Sequence, residues 1–256
     1  MARKPRIDLV GFHHVANQGM YKANIFATIL EKEKFLAIVC KACDTYHITL
    51  HDYCIMDNHY HLLLETKREN LSYFMRQING NYAIYFNRKQ ERSGPLWKGR
   101  YKSWYIVHEE YLEYTIKYIE YDPIKADLSF FPADYPYTLC AAILGTESVV
   151  PCAQKSILVE NYTERELKHF LQSDLSKDEL GALEDEKRKK VTKSKTGTKI
   201  ERSIPLETYF KVITNKEERN KAMRKAYLDG YTQGEISKYL NVSSALVSHC
   251  IKHLSL

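Results

Sequence analysis

The stretch Tyr53-Cys54-Ile55-Met56-Asp57-Asn58-His59-Tyr60-His61-Leu62-Leu63-Leu64 sets a turn-forming Asp-Asn pair between two apolar runs. Such a pair bonds its own backbone, so it predicts a hairpin joining a strand over 46–56 to one that begins at His59. Side chains alternate across a strand, so His59 and His61 leave one face and Tyr60 the other. The leucines that follow bury the strand, and a buried strand holds two imidazoles rigidly enough to be half of a metal site. A His-x-His pair alone is more often a packing or hydrogen-bonding feature than a metal site. What separates the readings is whether a third donor reaches it.

Upstream, Leu9 to Ala16 alternates weakly and ends at Asn17-Gln18-Gly19, a strand followed by a turn. Phe26 to Cys43 repeats apolar residues at Ile29, Leu30, Phe35, Leu36, Val39, Cys40 and Cys43 and is an amphipathic helix. Antiparallel strands with helices on one face make an α+β layer. Downstream, Leu71, Phe74, Met75, Ile78, Tyr82, Tyr85 and Phe86 give a second helix over 70–87, stopped by Ser93-Gly94-Pro95.

Residues 96–107 interleave Trp97, Lys98, Arg100, Lys102 and Trp104. Cations neutralise phosphates and flat rings stack on unpaired bases, so Trp97, Lys98, Arg100 and Lys102 suit a nucleic-acid strand. A basic edge strand whose aromatics belong to the core has the same composition. A helix over 109–121 follows and Pro123 ends it. Tyr118 and Asp122 are four apart and share a face if the helix persists one residue past Tyr121. Over the histidine strand, that face makes His59, His61 and Asp122 an N, N, O donor set for a divalent ion, with Tyr118 as the nucleophile. A phenol titrates near pH 10 (about 10 in model peptides), so Tyr118 needs a nearby cation or base. Among 20 tyrosines, Tyr114 and Tyr121 compete with it.

Residues 184–203 are dense in charge and poor in apolar side chains, which is linker composition. Helical periodicity returns at 215–229, 233–240 and 244–253, with Thr232 and Ser243 as N-caps and a turn at Asn241-Val242-Ser243. These are the dimensions of a helix-turn-helix, in which Ser244, Ser248 and Lys252, with Ser243 and His249, face a groove. A small all-α packing module is the plainer alternative. The organisation is therefore a domain over 1–140, a connecting region with a basic linker over 141–203 and a helix-turn-helix domain over 204–256.

The formal charge of +6, with cations clustered at Arg3, Lys4 and Arg6, at 98–102 and at 187–202, favours a polyanionic partner. No run approaches the roughly 18–20 apolar residues that span a bilayer, and no apolar signal core follows the basic start, so a cytoplasmic protein without a membrane partner is expected. The 6 scattered cysteines are expected to be reduced, and Cys40-x-x-Cys43, lacking a second pair, to be structural.

Five ordered segments carry a resemblance: Arg3-Lys4-Pro5-Arg6-Ile7; His13-His14-Val15 with Asn17-Gln18-Gly19; Tyr53 to Leu63; Gly94 to Lys102; and Lys117-Tyr118-Ile119-Glu120-Tyr121-Asp122-Pro123-Ile124-Lys125-Ala126. Together they resemble the REP-associated tyrosine transposases, within the single-tyrosine HUH transposase superfamily. The resemblance implies a ferredoxin-like antiparallel sheet whose central strand carries the histidine pair, here His59 and His61, and a Mg²⁺ or Mn²⁺ ion. It also implies a helical tyrosine, here Tyr118, that cleaves single-stranded DNA beside a repeat hairpin, leaving a 5′-phosphotyrosine and a 3′-hydroxyl able to rejoin strands. Asp122 stands where family members commonly carry Asn or Gln as third ligand, and its extra charge leaves the choice of metal open. The carboxy-terminal module lies outside this resemblance; Thr232 to Ser243 is similar to common bacterial helix-turn-helix segments. The expected function is a DNA strand transferase, monomeric or homodimeric. Its rivals are a hairpin-binding regulator without turnover and a metal-dependent hydrolase that has no need of Tyr118.

Overall fold

The computed structural model describes residues 8–145, 148–188, 190–194, 197–201, 205–211, 213, 215–228, 231 and 233–252. Arg3, Lys4, Arg6, Thr232 and the side chain of Lys252 lie outside the described residues. Strands β1 (Gly11–Gln18), β2 (Ile48–Ile55), β3 (His59–Thr66) and β4 (Lys102–Tyr105) form one sheet in the order β2-β3-β1-β4. Every neighbouring pair is antiparallel. Met56 N–H donates to His59 O at 2.9 Å and closes the hairpin where the Asp57-Asn58 pair predicts it. β1 runs two residues further than its sequence pattern, because Asn17 and Gln18 pair with Tyr60 and His59.

Helices α1 (Ile29–Tyr46) and α2 (Leu71–Lys89) cover the Tyr60 face of the sheet. Tyr60 is fully buried there, its ring 4.6 Å from Phe35 and its hydroxyl donating to Asn79 Oδ1 at 2.9 Å. Thr28 and Glu31 form a capping box at the start of α1, satisfying two of its orphan N–H groups. The expectation of helices on one face is refined by α3 (Tyr111–Glu120) and the single turn α4 (Asp122–Lys125), which lie on the opposite, histidine face. Pro123 sits in the first turn of α4, where its missing N–H is harmless. It ends α3 without turning the chain away, since Tyr121 N–H still donates to Lys117 O and Lys125 N–H to Tyr121 O.

The same core continues past residue 140. Short helices α5 (Leu139–Leu144), α6 (Ile157–Asn161) and α7 (Glu164–Phe170), started by Thr138, Ser156 and Thr163 caps, bury Leu139, Cys140, Leu158 and Leu167 in it. The first compact unit accordingly runs to Leu183, inside α8 (Lys177–Arg188), rather than to 140. Elements this short offer too few turns for a periodic signal. Cys40 and Cys152 form a disulfide, against the expectation of reduced thiols, while Cys43, Cys54, Cys140 and Cys250 are free and buried. A separation of 112 residues leaves no trace in spacing.

In the second unit, the run read as a linker pairs as an antiparallel hairpin of β5 (Lys190–Ser194) and β6 (Gly197–Glu201), with Val191 opposite Ile200. Helices α9 (Leu206–Tyr209), α10 (Lys216–Leu228), α11 (Gln233–Leu240) and α12 (Ser244–Lys252) follow. Met223, Ala226, Tyr231, Ile236, Val247 and Cys250 make its core. Ser243 Oγ accepts from Leu246 N–H at 3.2 Å, the expected cap of α12. Among the described residues, no helix is long and apolar enough to cross a membrane.

One buried pair ties α3 to the sheet. Asp52 on β2 and Glu120 on α3 are both fully buried, and backbone N–H groups of Tyr53 and Cys140 hold one oxygen of each at 2.8 and 3.0 Å. Burial pushes the Asp52 carboxyl well above the ordinary range and the Glu120 charge pushes it further; burial raises Glu120 too, against hydrogen bonds from Asp52 and Cys140. The folded chain thus keeps protons that the unfolded chain releases above a pH of about 4, and stability falls as pH rises toward the raised folded values. Asp52→Asn keeps the shape and a donor for Glu120 but cannot ionise. At pH 8 it is expected to raise the melting temperature by about 2–4 °C, on the order of 1 kcal/mol, with the gain shrinking toward pH 5 in parallel thermal melts. A gain that does not change with pH would remove Asp52 ionisation as its cause.

Candidate active site

The period of β3 and the continuation of the helical path through Tyr121 bring three donors together. His59 Nε2 lies 2.8 Å from Asp122 Oδ2, and His61 Nε2 lies 3.8 Å from the same oxygen. One ligand atom from each of His59, His61 and Asp122 falls within 4.8 Å of the others. Each ring is fixed from behind. His59 Nδ1 is 2.6 Å from Asn58 Oδ1, and His61 Nδ1 is 2.8 Å from Nε2 of the buried His14. Burial alone would raise the Asp122 carboxyl, but the His59 hydrogen bond and the proximity of His61, His59 and Lys125 outweigh it and hold the group below the usual range. Two imidazole nitrogens and an ionised carboxylate oxygen, converging with second partners already engaged, fit a divalent cation.

Tyr118 stands beside this cluster. Its ring packs edge-on against His14 and His61, with centroids 5.8 and 5.9 Å away, and Lys125 Nζ lies 5.3 Å from its own ring centroid. The competition among tyrosines is thereby narrowed. Tyr121 donates its hydroxyl to Leu171 O at 2.7 Å, and the Tyr114 ring packs edge-on against Tyr111 at 5.8 Å. Tyr118 has its ring packed on His61, a histidine of the cluster.

Residues 11–122 match the family model described as Transposase IS200 like. The matched residues all lie within the first unit. The matched span opens with β1 and closes on Asp122, so it contains the whole cluster and Tyr118. Among solved structures, the chain is similar at 13% identity and a TM-score of 0.47 to a REP-associated tyrosine transposase bound to a REP hairpin, covering 69% of this chain and 100% of that one. It is also similar, at 17% identity and a TM-score of 0.33, to a Deinococcus radiodurans R1 protein described as a transposase, covering 46% and 96%. No curated protein is matched by the sequence.

Other expected contact residues divide. Lys98, Arg100 and Lys102 of the first unit are exposed, as a phosphate-binding role requires. Trp97 is half-buried: its Nε1–H donates to Asn79 O at 2.9 Å and its ring packs on Tyr60 and Tyr82, the contacts expected of an aromatic that packs against the core. In the second unit Ser244 is exposed with its Oγ 3.3 Å from Ser237 Oγ, and Ser248 is half-buried. Sequence reasoning gave His14, Asn58 and Lys125 no role in the site. The bond between His14 and His61 spans 47 positions and exists only because β1 lies next to β3.

Proposed function

We propose that the first unit is a transposase domain that cleaves and rejoins single-stranded DNA beside hairpins, with Tyr118 as nucleophile and His59, His61 and Asp122 holding Mg²⁺ or Mn²⁺. The observation that carries this reading is the packing of the Tyr118 ring against His61, within the same cluster that Asp122 completes one helical turn later. When bound, the ion polarises the scissile phosphate and stabilises charge developing on its oxygens.

The chain's own residues supply the rest. Asn58 and His14 orient the two imidazoles, and the half-buried position of Tyr118 keeps its ring in place against them. Lys125, its ammonium 5.3 Å from that ring centroid, places a cation beside the attacking residue. The Tyr118 oxygen attacks phosphorus, the bond to the 3′ oxygen breaks, and that oxygen takes a proton as it leaves. The products are a 5′-phosphotyrosine and a 3′-hydroxyl, and attack by a 3′-hydroxyl reverses the step and rejoins strands. In the second unit α11 and α12, with Ser244 and Ser248, act as a helix-turn-helix that adds grip on the hairpin stem.

The test is incubation with Mg²⁺ or Mn²⁺ and labelled hairpin DNA bearing single-stranded flanks, read as a protein–DNA adduct that survives denaturation. Metal-dependent cleavage without adduct would support a hydrolase instead, and hairpin binding with neither product a regulator. The basic edge is tested separately. Arg100→Ala is expected to weaken hairpin binding and lower the slope of log affinity against log salt by about 0.7–0.9, one phosphate contact. An unchanged slope in fluorescence titrations would return Arg100 to a structural role.

A further inference from the structure

β1 leads directly from the cluster into a tight turn over Met20-Tyr21-Lys22-Ala23, closed by Ala23 N–H donating to Met20 O at 2.9 Å. Tyr21 and Lys22 have φ of 53° and 58°, so both central positions lie in the left-handed region. Asn and Gly normally fill such a turn, and a bulky aromatic residue in it is strained. Packing does not explain the choice, for Tyr21 is 94% exposed and Lys22 is exposed beside it. Strain of this kind persists only where the surroundings dictate it, and it gathers at functional sites.

The surroundings do dictate it. Gly19 N–H donates to Asn58 O at 2.9 Å, Met20 N–H to Leu96 O at 2.8 Å and Lys98 N–H to Gln18 O at 2.8 Å. A Cβ on Gly19 would meet Ala23 O at 2.5 Å, so this position accepts only glycine. Asn58 precedes His59, and Gln18 is paired with His59 across the sheet. The turn therefore stands at the His59 end, fastened to the segment that carries the exposed Lys98, Arg100 and Lys102. The nearby carboxylate of Asp57 is already paired with Lys32.

An exposed flat ring on an anchored backbone, next in sequence to Lys22 and on a turn fastened to the segment that carries Lys98 and Arg100, suits a polyanion that exposes π-faces. Bases inside a duplex have both faces covered, so the fitting ligand is an unpaired strand. We infer that Tyr21 is a stacking platform for an unpaired base, with Lys22, Lys98 and Arg100 on the phosphates of the same strand, forming a single-stranded DNA subsite beside His59. The choice of polymer rests on the strand-transfer reading of the neighbouring cluster.

Fluorescence anisotropy in EDTA, where chemistry plays no part, tests this with two labelled hairpins of identical stem, one blunt and one with a single-stranded tail. Tyr21→Ala is expected to weaken binding of the tailed hairpin about 5- to 100-fold and to leave the blunt one within about twofold, while Tyr21→Phe keeps both within about twofold. Tyr21→Asn, which suits the left-handed backbone, is expected to raise the melting temperature and still lose affinity as Tyr21→Ala does. Unchanged binding of the tailed hairpin by Tyr21→Ala, or an equal loss on both hairpins, overturns the subsite. Because no metal is present, the outcome is independent of the adduct assay. A selective loss in a protein that forms no adduct on any DNA keeps the subsite and removes strand transfer; adduct formation with unchanged Tyr21→Ala binding does the reverse.

Discussion

Tyr118→Phe is expected to reduce the denaturation-resistant DNA adduct by about 10³-fold or more while leaving hairpin affinity within about twofold. The substitution removes one oxygen and keeps the ring, so the edge-on packing against His14 and His61 and the approach of Lys125 survive. A fall in adduct therefore reports lost nucleophile and not lost fold, and an unchanged melting curve checks this directly. Tyr121→Phe is the matched control. Its hydroxyl is engaged by Leu171 O, facing the segment after α7, and its loss is expected to leave the adduct intact at some expense in stability. The measurement is a denaturing gel of labelled hairpin DNA incubated with each variant and Mn²⁺. Undiminished adduct from Tyr118→Phe would sink the assignment, and transfer of the loss to Tyr121→Phe would move the nucleophile by three residues.

Much of this arrangement is legible from residue patterns, and what is not has a physical reason. Period-two alternation placed His59 and His61 on one face because β3 is central and its register admits no slip without exposing Tyr60, Leu62 and Leu64. Spacing of four put Tyr118 and Asp122 together, conditionally on the helical path outlasting Tyr121; the turn α4, entered through Pro123, meets that condition. Trp97 is undecided by sequence because an aromatic residue in a basic run has the same composition whether its ring faces core or solvent, and the bond from its indole to Asn79 O is a contact that composition does not announce. Tyr21 escaped notice for the converse reason. Its backbone conformation follows from the anchoring of Gly19 to Asn58, a contact between segments far apart in sequence. The hairpin of β5 and β6 has little more than Val191 opposite Ile200 to announce it amid lysines and threonines.

Mn²⁺ affinity measured by calorimetry is expected to fall more than about 100-fold in His61→Ala and about 10- to 100-fold in His14→Phe. For His61 Nε2 to offer a lone pair beside Asp122, its Nδ1 must carry the ring proton, and His14 Nε2 at 2.8 Å accepts that proton. Phenylalanine fills the buried space of His14 but accepts nothing, so the imidazole loses both its orientation and its preference for the useful tautomer. His14→Gln retains an acceptor oxygen and is expected to recover part of the loss, which a purely steric role for His14 would not allow. Asp122→Asn weakens binding by removing charge, and since the carboxyl is held below its usual range by His59, His61 and Lys125 despite burial, that loss is expected to stay constant between about pH 6 and pH 8. A loss that vanished toward pH 6 would mean the carboxylate was already protonating there. Wild-type affinity in His61→Ala, with a melting curve showing the variant folded, would show that the ion is held elsewhere; the edge-on contact of Tyr118 with His61 would then place the tyrosine beside a packing residue, and the adduct would have to form without a metal at this cluster.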